Sequence, residues 1–144
     1  MGRDMSGADL VGESLIGVDL IEGNLAGANL TDANLTGADL TGSDLTASNL
    51  HKADLTGAVL VNANLKGADL SCANLTVATL TNTELTGTDL SSANLYAANL
   101  TGANLTGSNL TNANLTDAVL TEANLKGADL AGAIGADLSD AILE

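Results

Sequence analysis

Leucine recurs at every fifth position of this chain from Leu10 to Leu130, 25 times without interruption. Two positions before the leucine the residue is small in 23 of the 25 units, and it is alanine in 17 of them. One position before the leucine it is asparagine or aspartate in 20 units. Helical residues five apart are rotated by about 140° from one another, and strand residues five apart point to opposite faces. The pattern therefore predicts neither a helix nor a long strand.

A short extended segment followed by a tight corner satisfies the five-residue period. In such a segment Ala53 and Leu55 point inward, while Asp54 between them points outward. Thr56 and Gly57 then turn the chain, because glycine tolerates the backbone angles of tight turns. Repetition of segment and corner winds a coil that is apolar inside, and successive coils pair like parallel strands about 4.8 Å apart.

The repeated unit resembles the motif of the pentapeptide-repeat family, which is a small residue, Asp or Asn, Leu or Phe, and two variable positions. The resemblance extends from Ala8 to Leu143. It implies an all-β fold, a right-handed quadrilateral parallel β-helix in which four units form one coil, with about six to seven coils in total. We expect a single domain over residues 1–144, with regular repeats in 8–132 and an irregular C-terminal cap in 133–144.

The two ends depart from the repeat. Near the N-terminus, the corner positions that usually hold threonine carry apolar residues that should face outward: Val11, Ile16 and Ile21. Near the C-terminus, Gly135 occupies the expected leucine position. We expect this slip to distort the last coil and to leave Ile134, Ile142 and Leu143 to cover the core or to meet a second subunit. Members of the family often dimerise end to end, so the resemblance favours a homodimer through the C-terminal end.

The chain is strongly acidic, with 18 Asp and Glu against 4 Lys and Arg and a net charge of −14. Such a charge repels phosphate backbones and anionic lipids, which disfavours direct binding to nucleic acid or to a membrane surface. A basic protein partner is compatible with it. The N-terminus lacks the apolar core of a signal peptide, and no apolar stretch approaches the length of a membrane span. We therefore expect a cytoplasmic protein.

The inventory of reactive side chains is too small for catalysis. His51 and Cys72 stand about one coil apart and could share a face, but threonines on a convex rod supply neither a base nor a pocket. The outward carboxylates are diluted by asparagine, so they do not form the oxygen cage that calcium requires. We expect no catalytic residue, no metal site and no cofactor.

Two surfaces are candidates for binding a partner. One is an acidic face with Asp9, Asp32, Asp69, Asp89 and Asp129. The other is a weaker apolar stripe of Val59, Thr79 and Val119, whose numbers differ by multiples of 20. These features favour a non-enzymatic structural module for protein–protein interaction.

The alternative function is a DNA mimic that binds DNA gyrase or another topoisomerase, since the resemblance implies that some family members bind gyrase and protect it from quinolones. The rod carries roughly one net charge per 2.2 Å, near the value for duplex DNA. Those members tend to have many phenylalanines at the central core position and loops between coils. This chain has only leucine there and no insertion, which favours the interaction scaffold over the mimic.

Overall fold

Single parallel bridges hold successive coils together throughout the fold. The computed structural model describes residues 3–144, so residues 1 and 2 of the predicted domain lie outside it. Over 3–144 there is no helix, and every extended segment contributes one bridged residue rather than a longer strand. The bridges run from Asp4↔Asn24 to Asn114↔Ile134, each joining residues 20 apart. One coil is therefore 20 residues long, and the predicted right-handed quadrilateral β-helix is confirmed.

The coil has four sides, which we number as faces one to four, and each side is marked by a ladder of outward central residues. Face one holds Asp4, Asn24, Asp44, Asn64, Glu84, Asn104 and Asn124. Face two holds Asp9, Asn29, Asn49, Asp69, Asp89, Asn109 and Asp129. Face three holds Ser14, Asn34, Asp54, Asn74, Asn94, Asn114 and Ile134. Face four holds Asp19, Asp39, Val59, Thr79, Asn99 and Val119. Two corner residues join each face to the next.

The corners are β-turns with a left-handed second residue. The Ala28 N–H donates to the Leu25 carbonyl at 3.0 Å, and the same bond recurs in the other regular units. The second corner residue has a φ between 51° and 72° at each unit from Gly7 to Gly132. Thirteen of these residues are not glycine. Stacking of the coils therefore imposes the left-handed conformation on side chains that would not choose it.

Val77 is the corner residue for which this conformation costs most, because it is branched at Cβ and has a φ of 51°. Its side chain is 52 % exposed and so contributes little burial. Asparagine tolerates the left-handed region far better. We expect Val77→Asn to raise the free energy of unfolding by about 1 kcal/mol. Denaturant unfolding measures the effect, and Asn82→Val at an equivalent corner with φ 55° should reverse its sign. A destabilised Val77→Asn variant would contradict this account.

Leucine and alanine fill the interior, as the five-residue pattern predicts. From Leu20 to Leu125 every ladder leucine is buried, and the buried alanines at the small position complete the core. At five units the small position holds a buried hydroxyl instead. Ser43 and Ser48 donate to the leucine carbonyl three residues earlier, whereas Thr83 and Thr88 donate to a leucine carbonyl of the coil below.

Ser108 is the buried exception, because its Oγ has no hydrogen-bond partner among the described residues. A buried hydroxyl without a partner carries a desolvation penalty. Alanine occupies this position in most units, so Ser108→Ala should fit without repacking. We expect the substitution to stabilise the fold by about 1 kcal/mol in denaturant unfolding. Ser43→Ala is the matched control, since it removes a hydroxyl that donates at 2.8 Å, and it should bring no gain.

The last coil is two residues short on one side. The bridge Asn114↔Ile134 keeps the spacing of 20, but the next bridge, Asn124↔Ile142, spans 18 residues. Gly135 turns the chain directly after Ile134 with a φ of 73°, in the place of a leucine and a first corner residue. As a result no residue pairs with Val119 from above in the range 3–144.

The slip places the predicted cap residues outside the core. Ile134 and Ile142 take the outward central position of their units and are 59 % and 49 % exposed, and Leu143 is exposed as well. Packing against the top of the core falls instead to Leu130, Ala133, Ala136, Leu138 and Ala141. The expected contact of the three exposed residues with a second subunit stays a prediction.

Candidate functional surfaces

Most outward Asn and Asp side chains form hydrogen bonds within the fold itself. The Oδ1 of Asn34 accepts both the Thr36 N–H at 3.0 Å and the Thr36 hydroxyl at 2.6 Å, and most units repeat one or both bonds. Some asparagines also donate from Nδ2 to the coil below, as Asn109 does to Asp89 at 3.2 Å. The central residues thus stabilise the corners and link the coils. Only their polar atoms that these bonds leave free can bind a partner.

Glu84 is the one glutamate in a central position, and its carboxylate is bound from two coils. It accepts the Thr86 N–H at 2.9 Å, the Thr86 hydroxyl, and Asn104 Nδ2 at 3.0 and 3.2 Å. Burial raises the pKa of Glu84, but the bonds from Thr86 and Asn104 and the charge of Lys66 outweigh it, so the pKa lies below its ordinary value. The charged form is therefore part of the folded structure.

A lowered pKa in the folded state stabilises the protein above the unfolded pKa, and this contribution is lost as the pH falls through the folded pKa. We expect wild type to lose stability relative to Glu84→Gln between about pH 5 and 3, by less than about 1 kcal/mol because the group is partly exposed. Urea unfolding of both proteins at pH 7, 5, 4 and 3 measures the difference. Parallel pH profiles would show that Glu84 does not carry it.

The predicted acidic face is only partly a single surface. Four of its five residues, Asp9, Asp69, Asp89 and Asp129, lie on face two, and Asp69 is bridged to Asp89. Asp32 lies apart from them, at the second corner position between faces two and three, with a φ of 56°. Three of the four basic side chains border the same face: Lys52 at one corner, and Lys66 and Lys126 at the other. On and beside face two, five acidic residues are thus opposed by three lysines, so this region has a net charge of −2.

A different side of the rod carries unopposed negative charge. We define the face-four surface as face four, its two flanking corners, and Asp137 and Asp140 above them. It contains seven acidic residues: Asp19, Glu22, Asp39, Asp117, Glu122, Asp137 and Asp140. In the part of the chain that the structure describes, it contains no Lys or Arg. Steps of 20 residues along the sequence place Asp19 and Asp39 together, but the acidic corner residues join them only when each corner is assigned to the faces beside it.

Apolar side chains, some partly buried and others exposed, lie along the face-four surface. Val59 is bridged to Thr79, so two residues of the predicted stripe stack directly, but Asn99 separates them from Val119. At the corner before face four, Val77 and Tyr96 occupy adjacent coils, and the Val77 N–H donates to the Tyr96 carbonyl at 2.9 Å. Tyr96 is 42 % exposed. Exposed Ile16 and Ile21 lie at the lower end and exposed Val119 at the upper end, so apolar side chains run along the whole surface, whereas the acidic residues are confined to its two ends.

A cavity of about 190 Å³ opens at the upper end of this surface, where the last coil is short. One wall is formed by residues 118–121, and the other by Asp137, Ser139 and Asp140. Asp137 Oδ1 accepts the Ser139 N–H at 3.1 Å. This backbone hydrogen bond and that of the Ser139 side chain hold the pKa of Asp137 below its ordinary value. The cavity is thus bordered by a carboxylate that is charged at neutral pH.

The repeat defines the family. A sequence model described as pentapeptide repeats matches residues 4–37, 24–60, 58–95 and 98–134, which is most of the chain. The chain belongs to the pentapeptide-repeat family. Proteins of this family are generally non-enzymatic structural repeat proteins. No curated protein sequence matches the chain significantly.

Solved structures of other pentapeptide-repeat proteins match the fold. HetL, from the cyanobacterium Nostoc sp. strain PCC 7120 and involved in the regulation of heterocyst differentiation, superposes with a TM-score of 0.94 at 41% identity over 97% of this chain. The chain spans 65% of the length of HetL. QnrB1, a plasmid-mediated fluoroquinolone resistance protein, matches with a TM-score of 0.64 at 25% identity, covering 98% of this chain and 77% of QnrB1. The Nostoc protein alr5209 matches with a TM-score of 0.53 at 32% identity over 84% of each chain.

The hydrogen bonds of His51 in this pentapeptide-repeat chain do not activate a nucleophile. His51 Nδ1 lies 2.8 Å from Ser71 Oγ, and Ser71 Oγ donates to Asp69 Oδ1 at 2.6 Å. Because the serine proton is directed to the aspartate, the imidazole donates to the serine instead of taking its proton. A nucleophile would need the opposite arrangement. Cys72, next to Ser71, is exposed and free.

Residues 3–144 contain neither a cluster of metal ligands nor a membrane-spanning helix. No group of three or more His, Cys, Asp or Glu in this range has the geometry of a metal site. The same range contains no helix with the length and apolar character that crossing a membrane requires.

Proposed function

We propose that the chain is a non-enzymatic protein-binding module that uses the face-four surface to bind a basic partner protein. The observation that carries the proposal is the distribution of charge: seven carboxylates without a Lys or Arg among the described residues, against five carboxylates and three lysines around face two. Unopposed charge of one sign steers an oppositely charged partner and selects against others.

The arrangement of this surface describes its partner further. Asp19, Glu22 and Asp39 lie at the lower end, and Asp117, Glu122, Asp137 and Asp140 lie at the upper end. Val59, Val77 and Tyr96 lie between them. Exposed aromatic side chains often supply much of the binding energy of an interface, while charges at the rim set orientation and association rate. A complementary partner has apolar side chains along its contact surface and a basic patch at each end. Similarity to HetL, a protein involved in regulating heterocyst differentiation, supports a regulatory role based on contact.

Two triple variants with matched chemistry test the proposal. The first is Asp19→Asn, Asp39→Asn and Tyr96→Thr on the face-four surface. The second is Asp69→Asn, Asp89→Asn and His51→Thr on and beside face two. Each removes one bridged pair of aspartates and one large corner side chain, and each introduces residues that are common at those positions. Unfolding curves should show both to be folded, so a difference in binding reports the surface.

Immobilised wild type and both variants would be exposed to a lysate of the source organism, and the captured protein would be identified and purified. Its affinity for each of the three proteins would then be measured by surface plasmon resonance. We expect the face-four variant to bind at least about 10-fold more weakly, which corresponds to about 1.4 kcal/mol. The face-two variant should stay within about twofold of wild type. Equal losses in the two variants, or a loss confined to face two, would overturn the proposed interface.

A second candidate function, a topoisomerase-binding DNA mimic, is favoured by the similarity to QnrB1. The charge distribution argues against it. Between Asp39 and the level of Val119 the central residues of face four are uncharged over about 19 Å, whereas duplex DNA carries one charge per about 1.7 Å. A gyrase supercoiling assay with and without a fluoroquinolone separates the candidates. Protection of supercoiling by the chain would favour the mimic, and an unchanged assay at large molar excess would exclude it.

A further inference from the structure

Each extended segment is joined to the segment one coil above it by two backbone hydrogen bonds, which we call a rung. The two-residue slip leaves one rung of the β-helix unformed. In the coil below, the rung is complete: the Leu100 N–H donates to the Val119 carbonyl at 2.8 Å, and the Val119 N–H donates to the Ala98 carbonyl at 2.9 Å. One coil higher, the corresponding groups are the Leu120 N–H and the Ala118 carbonyl. Within residues 3–144 neither has a backbone partner. They form an open β-edge that is one residue wide.

The segment that should close this edge passes beside it. Because the chain is two residues short after Ile134, residues 136–139 do not reach the register of Val119. Pairing resumes only at the next corner, where the Glu122 N–H donates to the Asp140 carbonyl at 2.8 Å. The space between the two layers is the cavity of about 190 Å³ lined by residues 118–121 and by Asp137, Ser139 and Asp140. It is several times larger than the space that one water molecule occupies.

The backbone N–H and carbonyl groups that lack a partner in the cavity indicate which ligand backbone would bind there. Bonds between coils run along the axis of the rod, so the Leu120 N–H and the Ala118 carbonyl point into the gap. A donor and an acceptor that are two residues apart on one strand match the carbonyl and the N–H of a single residue in an added strand. An added strand would form hydrogen bonds with both groups, which have no backbone partner within residues 3–144.

The acidic side chains around the cavity favour a ligand with a basic side chain. Asp137 and Asp140 stand on its wall, and Asp117 and Glu122 stand on the two corners beside it. Lys126, the basic residue nearest in sequence, lies at the corner between faces one and two, on another side of the rod. Four carboxylates around a partly enclosed space favour a cation there.

We propose that this cavity is a binding slot for an extended peptide segment that carries a lysine or arginine. One ligand residue donates its N–H to the Ala118 carbonyl and accepts the Leu120 N–H with its own carbonyl. Its basic side chain, or that of a neighbouring residue, pairs with Asp137 and Asp140. The inference rests on the proposed protein-binding function, since the slot would seat one basic patch of the partner at the upper end of the face-four surface.

The probe is the blocked pentapeptide acetyl-Thr-Val-Lys-Val-Thr-amide, whose β-branched residues favour an extended backbone. Titration of the isotope-labelled full chain is followed by NMR. We expect saturable shifts of the Leu120 and Asp117 amide signals and slower hydrogen exchange at Leu120, while Leu100, whose rung is complete, stays unchanged. A peptide methylated at the lysine backbone nitrogen and a peptide with glutamate in place of lysine should each bind at least about fivefold more weakly.

Two variants of the protein make the test decisive. Asp137→Asn with Asp140→Asn should weaken binding about three- to tenfold without altering the open edge. Insertion of Leu-Thr between Ile134 and Gly135 restores the five-residue period, so the chain itself should complete the rung and binding should vanish. Slow exchange at Leu120 without peptide would confirm that the inserted protein has closed the slot.

The proposal is overturned if the peptide fails to shift Leu120 in wild type, or if the inserted protein with a closed rung binds as well as wild type does. Shifts spread along all acidic faces would show attraction by net charge only and would likewise overturn it. The triple variants described above leave the slot intact, so a partner captured through face four without peptide binding would reject the slot alone. Loss of the partner in those variants together with peptide binding would leave both proposals standing.

Discussion

Leu75→Ala is expected to lower the free energy of unfolding by about 3–5 kcal/mol, as large an effect as truncation of any single fully buried ladder leucine should have. Leu75 is fully buried and lies between Leu55 and Leu95 in the leucine ladder of face three. The spacing of the coils is fixed by backbone bonds such as the Leu75 N–H to the Asn94 carbonyl at 2.7 Å. The neighbouring coils therefore cannot collapse into the space that the truncation leaves, and the full cavity penalty applies.

Guanidinium unfolding followed by circular dichroism measures this loss. Leu10→Ala is the matched control, because Leu10 has the same chemistry but lies in the first coil and is only partly buried. Its loss should be about 1–2 kcal/mol, since its side chain is only partly buried. Equal losses at the two positions would show that the ladder behaves as one cooperative unit in which position along the rod does not matter.

The contrast between these leucines shows what the sequence could supply. A five-residue period requires an inward leucine and an outward polar residue in each unit, so the core from Leu20 to Leu125 follows from pattern alone. The left-handed corners follow less directly. Glycine predicts them at half of the units, but Val77 and Cys72 adopt the same conformation because the stacked coils impose it.

The candidate site was harder to predict, because it depends on how faces and corners combine. Asp32 differs from Asp9 by 23 residues, so it falls at a corner and not on face two. A count in steps of 20 reveals that. It does not reveal that Lys66 and Lys126 border face two while face four has no such neighbours, since this requires each corner to be assigned to the faces it joins.

The C-terminal slip was visible in the sequence, but its result was not. Ile134 and Ile142 each follow an alanine, as the central asparagines usually do, and this signal explains why both point outward. Apolar character alone suggested the opposite. Which rung would stay open depends on how residues 135–141 close the coil, and that is a property of three-dimensional spacing. Among residues 3–144, Val119 is paired with Asn99 below it but has no bridge partner above it, because the next bridge forms two residues early.

Gly135→Ala is the second substitution with a large expected effect, about 2–4 kcal/mol, because Gly135 sets the path of this closing segment. A Cβ on Gly135 would lie 2.5 Å from Thr116 Cα and 2.8 Å from Thr116 N, both of which are backbone atoms. Its φ of 73° adds the strain of the left-handed region. Thr116 cannot move away without stretching the bond from the Leu115 N–H to the Ile134 carbonyl at 2.8 Å.

Gly127→Ala separates the two causes, since Gly127 has a similar φ of 69° but nothing lies within 4 Å of an added Cβ. It should cost only about 1 kcal/mol. The additional loss in Gly135→Ala should be local, with faster hydrogen exchange at Leu115 and Leu125, whose N–H groups donate to Ile134 and Ile142. Because the closing segment also forms one wall of the cavity, a detached segment should abolish peptide binding in the slot. If both alanine variants lose the same stability, the contact with Thr116 relaxes freely and Gly135 is a corner like the others.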